Sequence, residues 1–441
     1  MRVESRLSWL AVAAGSALTA SVAAVGADAR WLAALGAVIA RAGHIPSAIP
    51  YAAAPSQDWV NVPVLGELVF HLLWALDGDR ALVVAQAAAV AATLALVLRD
   101  MRAARASDTA SALVLVAIPF AAASSLFVVR AQMFSLPLFA LLVLLLRSDA
   151  RAPSRRVWLL VPLVALWSNL HGAVLAGLFV ATIYLLAQRR AFAVLVAAWA
   201  ALFVTPALVR TGDYYWSVLH SEPAASGFGL WAPLSWHNPL DIVFVAVVVP
   251  LLVVAVRSHP RRWELYCLAF LAVAAVHVAR NSIWLVLFVA TPAATGLRVR
   301  EVSLSASRRV LVTAAWIVPM VLLLSAFVRD PVQSVAGPAL RAKTVQLAGG
   351  APVLADAEDA EQLALDGRRV WIANPVDAFD RRDQSLYLDW LRGRSAGDAL
   401  LRRRSVVLVM LDSPAQKRLA HMRAFREVDR DAAAVLYRRV S

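Results

Sequence analysis

Asn169, His171 and Gly172 interrupt an almost wholly apolar stretch that runs from residue 157 to residue 187. An imidazole can exchange a proton near neutral pH, and a nearby amide can orient it through a hydrogen bond. A histidine–glycine turn also serves purely structural purposes, so both interpretations stay open. What this group can do depends on where it lies, and its position follows from the elements around it.

Those elements are predicted to be membrane spans. Of 441 residues, 61% are hydrophobic and 16% are charged, whereas soluble domains contain roughly 25% charged residues. Successive apolar runs are long enough to cross lipid, and the first is better explained as a retained span than as a cleaved signal. The sequence therefore predicts an α-helical polytopic membrane protein. Eleven spans are predicted, at residues 7–26, 80–98, 109–127, 132–146, 157–170, 172–187, 191–209, 240–256, 263–279, 282–297 and 309–328.

The arginines indicate the orientation of these spans. The net charge of +14 comes almost entirely from arginine, and much of it lies in short linkers such as Arg155–Arg156 and Arg189–Arg190. Because cytoplasmic linkers are enriched in Lys and Arg, the N-terminus is predicted in the cytoplasm of a multi-pass inner or plasma membrane protein. No basic patch is interleaved with aromatic residues, which argues against nucleic-acid binding.

Two features of the apolar runs follow from this topology. Residues 157–187 are too long for one span and lie between two arginine-rich linkers that favour the same side. They are predicted to form a hairpin whose outer turn contains Asn169 and His171. Residues 64–76 are too short to cross and contain Glu67 and His71, so they are predicted to form an amphipathic helix at the interface.

The same topology gathers the polar candidates on the outer side. Asp28 and Glu67 fall in a long first external loop, 27–79, and Arg130 falls in a tight turn. The other residues predicted on this side are Gln132, Asn169, His171, His237, Arg280 and Asn281. An arginine at the membrane needs water or an anion, and its fork of donors matches phosphate, so Arg130 and Arg280 suit an anionic lipid headgroup. Arginines at span ends are also common interface anchors.

Several kinds of chemistry are disfavoured. Cys267 is the single cysteine, so neither an intramolecular disulfide nor a cysteine metal cluster is possible. The sequence lacks the P-loop, dinucleotide, zinc-protease and nucleophile-elbow motifs. No cofactor and no metal ligands are therefore predicted, although a divalent metal requirement stays open.

Residues 329–441 differ from the rest of the chain because short apolar runs alternate with amphipathic helical ones. This alternation predicts a small α/β C-terminal domain with a mainly parallel sheet, on the extracytoplasmic side of the transmembrane domain 1–328. Its most distinctive segment is "NPVDAFDRRDQSLYLDWL". Its four acids either face the membrane cavity or cap helices on a solvated surface; they are Asp377, Asp380, Asp383 and Asp389.

Short motifs resemble those of bacterial polytopic membrane proteins of the GT-C glycosyltransferase type. "GADARW" resembles their Asp-Pro-Asp-x-Trp-Trp-His loop element, and "RAQMFS" resembles an Arg-Pro-Gln-x-x-Ser turn. "LWSNLHG" is similar to a Trp-x-Asn-x-His-Gly hairpin, and "ARNSIW" to a late Arg-Asn turn. The resemblance covers roughly residues 5–300.

The resemblance implies a membrane glycosyltransferase that moves a sugar from a polyprenyl-phosphate donor to a cell-envelope glycan or lipid acceptor on the outer face. It assigns acid–base chemistry to Asp28, with Glu67 as a second catalytic candidate, and phosphate binding to Arg130 and Arg280. Gly26, Leu32, Val62 and Pro63 replace polar or charged residues of the family pattern. The alternatives are a non-catalytic protein that binds lipid intermediates or scaffolds envelope assembly, and a transporter.

Overall fold

The computed structural model describes residues 6–26, 28–56, 58–188, 191–299, 313–328, 335–402 and 404–440. Arg189, Arg190 and the first residues of the predicted span 309–328 lie outside the described residues, and so does the start of the predicted tail at 329–334. The chain divides into two compact units. Unit 1 comprises Met1–Ala23, Asp79–Thr205 and Leu230–Pro331, and unit 2 comprises Ala24–Gly78, Pro206–Gly229 and Val332–Ser441.

Helices dominate both units and are numbered here in chain order. The first fifteen are α1 (Arg6–Val22), α2 (Ala29–Ala42), α3 (Val64–Ala103), α4 (Asp108–Ala121), α5 (Ala123–Leu126), α6 (Gln132–Arg151), α7 (Leu160–Ser168), α8 (Val174–Leu186), α9 (Phe192–Ala201), α10 (Thr211–Leu219), α11 (Glu222–Ala225), α12 (Pro239–Arg257), α13 (Arg262–His277), α14 (Ser282–Gly296) and α15 (Ile317–Ser325). The tail adds α16 (Pro338–Ala348), α17 (Ala357–Leu365), α18 (Arg381–Leu391), α19 (Asp398–Leu401) and α20 (Pro414–Ala420). The strands are β1 (Ala24–Val25), β2 (Val128–Val129), β3 (Leu354–Ala355), β4 (Val406–Met410), β5 (Phe425–Arg430) and β6 (Ala434–Arg439).

Unit 1 is built around α14. Every residue of α14 from Ser282 to Ala294 is buried, and α12 and α13 pack against it. A cluster of Phe139, Trp167 and Trp284 fills the space between α6, α7 and α14, with ring centroids 5.1 to 6.5 Å apart. Gly177 of α8 allows this packing, because a Cβ atom there would lie 2.5 Å from the Trp167 ring.

Helix lengths agree in part with the predicted spans. Among the described residues, α3, α6 and α12 are long and apolar enough to cross a membrane, and five further apolar helices are shorter. The predicted hairpin is present as α7 and α8, with the chain turning at residues 169–173 between them. The full count of eleven spans stays a prediction.

A buried arginine joins four helices of unit 1. The guanidinium of Arg147 on α6 donates to Asp100 of α3 at 2.7 Å and to Glu264 of α13 at 2.8 Å. It also donates to the backbone carbonyl of Phe288 on α14 at 2.9 Å and lies 4.6 Å from the centre of that ring. Arg151 shares the Asp100 carboxylate. These contacts compensate the positive charge of the Arg147 guanidinium, whose burial away from water would otherwise be very unfavourable.

The first helix of unit 2 is α2, which lies within the segment predicted above as an external loop. α2 packs against α17 of the tail. Further on, Asp77 (φ −160°, ψ 38°) and Gly78 (φ 54°, ψ −136°) interrupt the helical dihedral angles of α3. The positive φ of Gly78 is easily adopted without a side chain. The break separates the predicted interfacial segment 64–76 from the predicted span 80–98.

The tail contains a four-stranded sheet in the order β3-β4-β6-β5. Only β3 and β4 are parallel, whereas β4 pairs antiparallel with β6 and β6 antiparallel with β5. The predicted mainly parallel sheet is therefore wrong. One of the two antiparallel pairings follows from the short connection between β5 and β6, because strands joined by so tight a turn must be antiparallel. In this turn Asp431 accepts hydrogen bonds from the backbone of Ala433 and Ala434.

We expect Asp100→Asn to lower the free energy of unfolding by about 3 kcal/mol, because it removes a negative charge that faces the buried Arg147. Thermal unfolding of the purified protein in detergent micelles measures the effect. Asp213→Asn is the matched control, since Asp213 pairs with Arg210 where both side chains are more than half exposed, and exposed pairs contribute about 0–1 kcal/mol. Equal unfolding midpoints for the two variants would contradict the expectation.

Candidate functional site

Asp28 lies immediately before α2 in an unusual backbone conformation. Its φ of 83° and ψ of −32° are unfavourable for a residue with a Cβ atom. An aspartate at this position commonly caps the helix, but this side chain makes no capping hydrogen bond. Its Oδ1 instead accepts from the indole Nε1 of Trp31 at 3.3 Å. The carboxylate is thus turned away from the helix end and is partly exposed.

A carboxyl group from the tail binds the backbone of Asp28. Both side-chain oxygens of Glu361, on α17, accept from the Asp28 amide, at 3.2 and 3.1 Å. Glu361 Oε1 also accepts from Asn374 Nδ2 at 2.6 Å. Glu361 is completely buried, and burial together with the negative charge of Asp28 raises its pKa to about 8.

A second tail carboxyl belongs to the same neighbourhood. Burial raises the pKa of Asp377 to about 6, and the charge of Asp28 contributes to this rise. The three acids Asp28, Glu361 and Asp377 are referred to below as the carboxylate cluster. Sequence analysis named Asp377, which belongs to the distinctive tail segment. It missed Glu361, because the sequence around this residue is that of an ordinary amphipathic helix.

Glu67 has a different setting. Its side chain is fully buried, and Oε2 accepts from Asn61 Nδ2 at 2.8 Å. Tyr51 interacts electrostatically with both Glu67 and the carboxylate cluster. Burial, the charge of Glu361 and the charge of Glu67 all raise the pKa of the Tyr51 hydroxyl. A fully buried carboxyl next to an amide is typical of a structural group, and a catalytic role for Glu67 stays a prediction.

Unit 1 brings three of the predicted basic residues together. His171 lies in the turn between α7 and α8, and burial, together with the charges of Arg280 and Arg130, lowers its pKa to about 3. The imidazole is therefore neutral, and its Nδ1 shares a hydrogen bond of 2.7 Å with Ser135 Oγ. Ser135 also accepts from Trp167 Nε1 at 2.7 Å. Arg130, His171 and Arg280 are called the basic cluster below.

The other predicted binding residues are placed less favourably for a ligand. Asn169 Nδ2 donates to the carbonyls of Ala165 and Val204, at 2.7 and 2.6 Å, and so fixes the end of α7. Gln132 is buried at the start of α6. Asn281 Nδ2 lies 3.4 Å from the carbonyl of Ala274. His237 lies in an exposed turn before α12. Their binding roles stay predictions.

Arg280 lies four residues after Val276, which lines an apolar groove in unit 1. Its guanidinium lies 4.4 Å from the ring centre of Trp231. Backbone hydrogen bonds from Ala279 to Ala232 and from Leu234 to Val276 join the two segments next to this pair. The groove has a volume of about 320 Å³ between α12, α13 and α14, and its lining includes Leu234, Trp236, Phe244, Val248, Val276 and Leu285.

Metal coordination is the remaining chemistry that these residue types could support. Within the described ranges, no group of three or more His, Cys, Asp or Glu side chains is arranged to hold a metal ion.

Solved structures with a similar fold include two of ArnT from Cupriavidus metallidurans. The crystal structure bound to undecaprenyl phosphate has a TM-score of 0.53 and 12% sequence identity, and the match covers 98% of this chain and 97% of that one. The apo crystal structure has a TM-score of 0.51 and 13% identity, with coverages of 96% and 95%. No protein-family model and no curated protein sequence matches this chain. The likeness confirms the fold resemblance to GT-C glycosyltransferases.

The raised pKa of Glu361 has a measurable consequence for stability. Because its pKa is about 8 in the folded protein, against an ordinary value of 4.5, the folded chain binds a proton more tightly than the unfolded chain between these values. The free energy of unfolding therefore falls as the pH rises through this window. Glu361→Gln should flatten this fall in thermal unfolding midpoints measured across the window.

Asp213→Asn is the control for this pH series, because Asp213 is exposed and pairs with Arg210, and its charge is not among those that raise the pKa of Glu361. It should keep the wild-type slope. A Glu361→Gln slope equal to that of the wild type would show that this carboxyl is not the group that titrates.

Proposed function

We propose that this chain is an inner-membrane glycosyltransferase of the GT-C type that transfers a sugar from a polyprenyl-phosphate donor to a cell-envelope acceptor. The observation that carries the proposal is the apolar groove of unit 1, whose lining residues Leu234 and Val276 are three and four residues along the chain from Trp231 and Arg280. The fold adds support, because it is shared over nearly the whole chain with ArnT, which has been crystallised with undecaprenyl phosphate.

The groove suits a polyprenyl phosphate in both shape and charge. Its walls are side chains such as Phe244, Val248 and Leu285, which provide an apolar surface for an isoprenoid chain. Its volume of about 320 Å³ is in the range of small-molecule sites, roughly 300–1,000 Å³, and holds part of such a chain. The charged side chain in the lining is Asp241. Positive charge comes from Arg280, four residues after the lining residue Val276, and its donor geometry matches a phosphate.

The carboxylate cluster supplies the acid–base side of the reaction. In the proposed step, an acceptor hydroxyl attacks the anomeric carbon of the donor sugar and gives its proton to the carboxylate of Asp28. The bond between the anomeric carbon and the phosphate oxygen breaks, and the electron pair leaves with the polyprenyl phosphate. Positive charge from Arg130 and Arg280 stabilises this leaving group, while neutral His171 adds a hydrogen-bonding group without a competing charge.

The alternatives explain fewer of these features. A non-catalytic protein that binds lipid intermediates would use the groove but would not need the carboxylate cluster around Asp28. No observation specific to a transporter is found in the residues that the structure describes. The proposal includes a cytoplasmic N-terminus and an extracytoplasmic tail.

We expect polyprenyl-phosphate sugars to co-purify with the protein in mild detergent and to be lost from Arg280→Ala, because this change removes the guanidinium proposed to bind the donor phosphate. Mass spectrometry of the extracted lipids measures the enrichment and identifies the sugar. Arg257→Ala is the control, since Arg257 is exposed at the last turn of α12. Equal amounts of only bulk phospholipid on all three proteins would argue against a donor site.

We also expect Asp28→Asn to lower turnover of the identified donor by roughly 10²–10⁴-fold, the usual contribution of a general base. The variant should fold normally, because an amide oxygen can still accept the Trp31 hydrogen bond. Asp58→Asn is the matched control: Asp58 is an exposed aspartate in the same segment and also has a positive φ, of 64°. Normal turnover by Asp28→Asn would exclude the catalytic assignment.

A further inference from the structure

We infer that Glu361, on a helix of the tail, is a positioning residue that holds Asp28 in the conformation needed for proton transfer. The inference rests on the proposed function and names a second residue required by the same site. Its basis is the pair of hydrogen bonds from the Asp28 amide to the two oxygens of Glu361.

The local sequence does not account for the conformation of Asp28. A positive φ is unfavourable for aspartate, and the side chain makes no hydrogen bond to the end of α2 that would compensate. The amide of Asp28 points to Glu361, a residue 333 positions later in the sequence. The contact that fixes this backbone therefore comes from the tail, and it depends on the packing of α17 against α2.

Glu361 is itself held tightly, as a positioning residue must be. Its side chain is buried, and the Asn374 amide donates to Oε1 at 2.6 Å. Asn374 in turn lies beside Tyr51, whose hydroxyl is 3.5 Å from the Asn374 carbonyl. A side chain fixed by burial and by a second hydrogen bond can transmit its position to Asp28 with little freedom, which is the condition for a productive geometry.

The contact also leaves the Asp28 carboxylate available. Glu361 binds the backbone of Asp28 and not its side chain, and the side-chain carboxylate is oriented by the indole of Trp31. Removing Glu361 is therefore expected to shift the carboxylate without deleting it. A displacement of about 1 Å at a reacting group can lower a rate by roughly 10²-fold.

The test compares the full-length wild type with Glu361→Ala and Glu361→Gln in detergent micelles. The assay measures release of undecaprenyl phosphate from undecaprenyl-phosphate-linked glucose, mannose and arabinose, with a total envelope lipid extract as the source of acceptor. We expect Glu361→Ala to lower kcat by about 10- to 100-fold while the KM for the donor stays within about twofold. Glu361→Gln should recover much of the lost kcat, because its amide oxygen still accepts from the Asp28 backbone.

Hydrogen-exchange mass spectrometry provides a readout that does not depend on turnover. The peptide containing Asp28 should exchange faster in Glu361→Ala than in the wild type, because its amide loses both acceptors, whereas Glu361→Gln should stay close to the wild type. Glu358→Ala, on the same helix, should change neither exchange nor kcat.

The outcomes separate the inference from the proposed function. No release of undecaprenyl phosphate by the wild type from any of the three donors would remove the proposed function and the inference with it. Turnover by the wild type and an unchanged kcat for Glu361→Ala would overturn the inference alone. The inference would also be overturned if Glu361→Gln had as low a kcat and as low a thermal stability as Glu361→Ala. That pattern is expected of a purely structural residue.

Discussion

The guanidinium of Arg147 constrains the helices of unit 1 through a single buried charge. An arginine removed from water is stable only when its charge and its donors are matched, and here the partners come from α3, α13 and α14. These three helices and α6 are thereby fixed relative to one another near one end of the bundle. Two of the three helices that form the groove, α13 and α14, are held by this network, so the shape of the groove depends indirectly on a buried charge.

Unit 2 follows a similar rule, with buried acids in place of a buried arginine. Two of its buried acids are each paired with a donor: Glu67 with the amide of Asn61, and Glu361 with the amide of Asn374 and the backbone of Asp28. The two pairs differ in their consequences. Glu67 is fully buried and bonds to the amide of Asn61. Glu361 is also buried, but it binds the backbone of Asp28, whose side chain is partly exposed. Glu361 can therefore influence a group that a substrate can reach.

Unit 2 is assembled from three separate segments of the chain, and its acidic residues are therefore far apart in the sequence. It combines the first loop, residues 206–229 and the tail. The arginine topology assigned these segments to the outer side, except that 206–209 form the end of the predicted span 191–209. The tail sheet buries Val407, Leu408, Val435 and Leu436 and so provides a rigid base for α17, which carries Glu361. A soluble segment at the end of the sequence thus contributes to the environment of an acid near its beginning.

The sequence by itself determined the apolar helices, the hairpin between residues 157 and 187, the break near Gly78 and the resemblance that led to the fold. These features depend on hydropathy and residue type within about twenty neighbouring positions, and local patterns report them well. Only the tertiary structure decided that β5, with its charged sequence "FREVDR", joins the sheet, that the sheet is mixed, and that Asp28 meets Glu361. Contacts between residues hundreds of positions apart arise from the packing of whole elements, and in a single sequence a buried glutamate cannot be told from a solvated one.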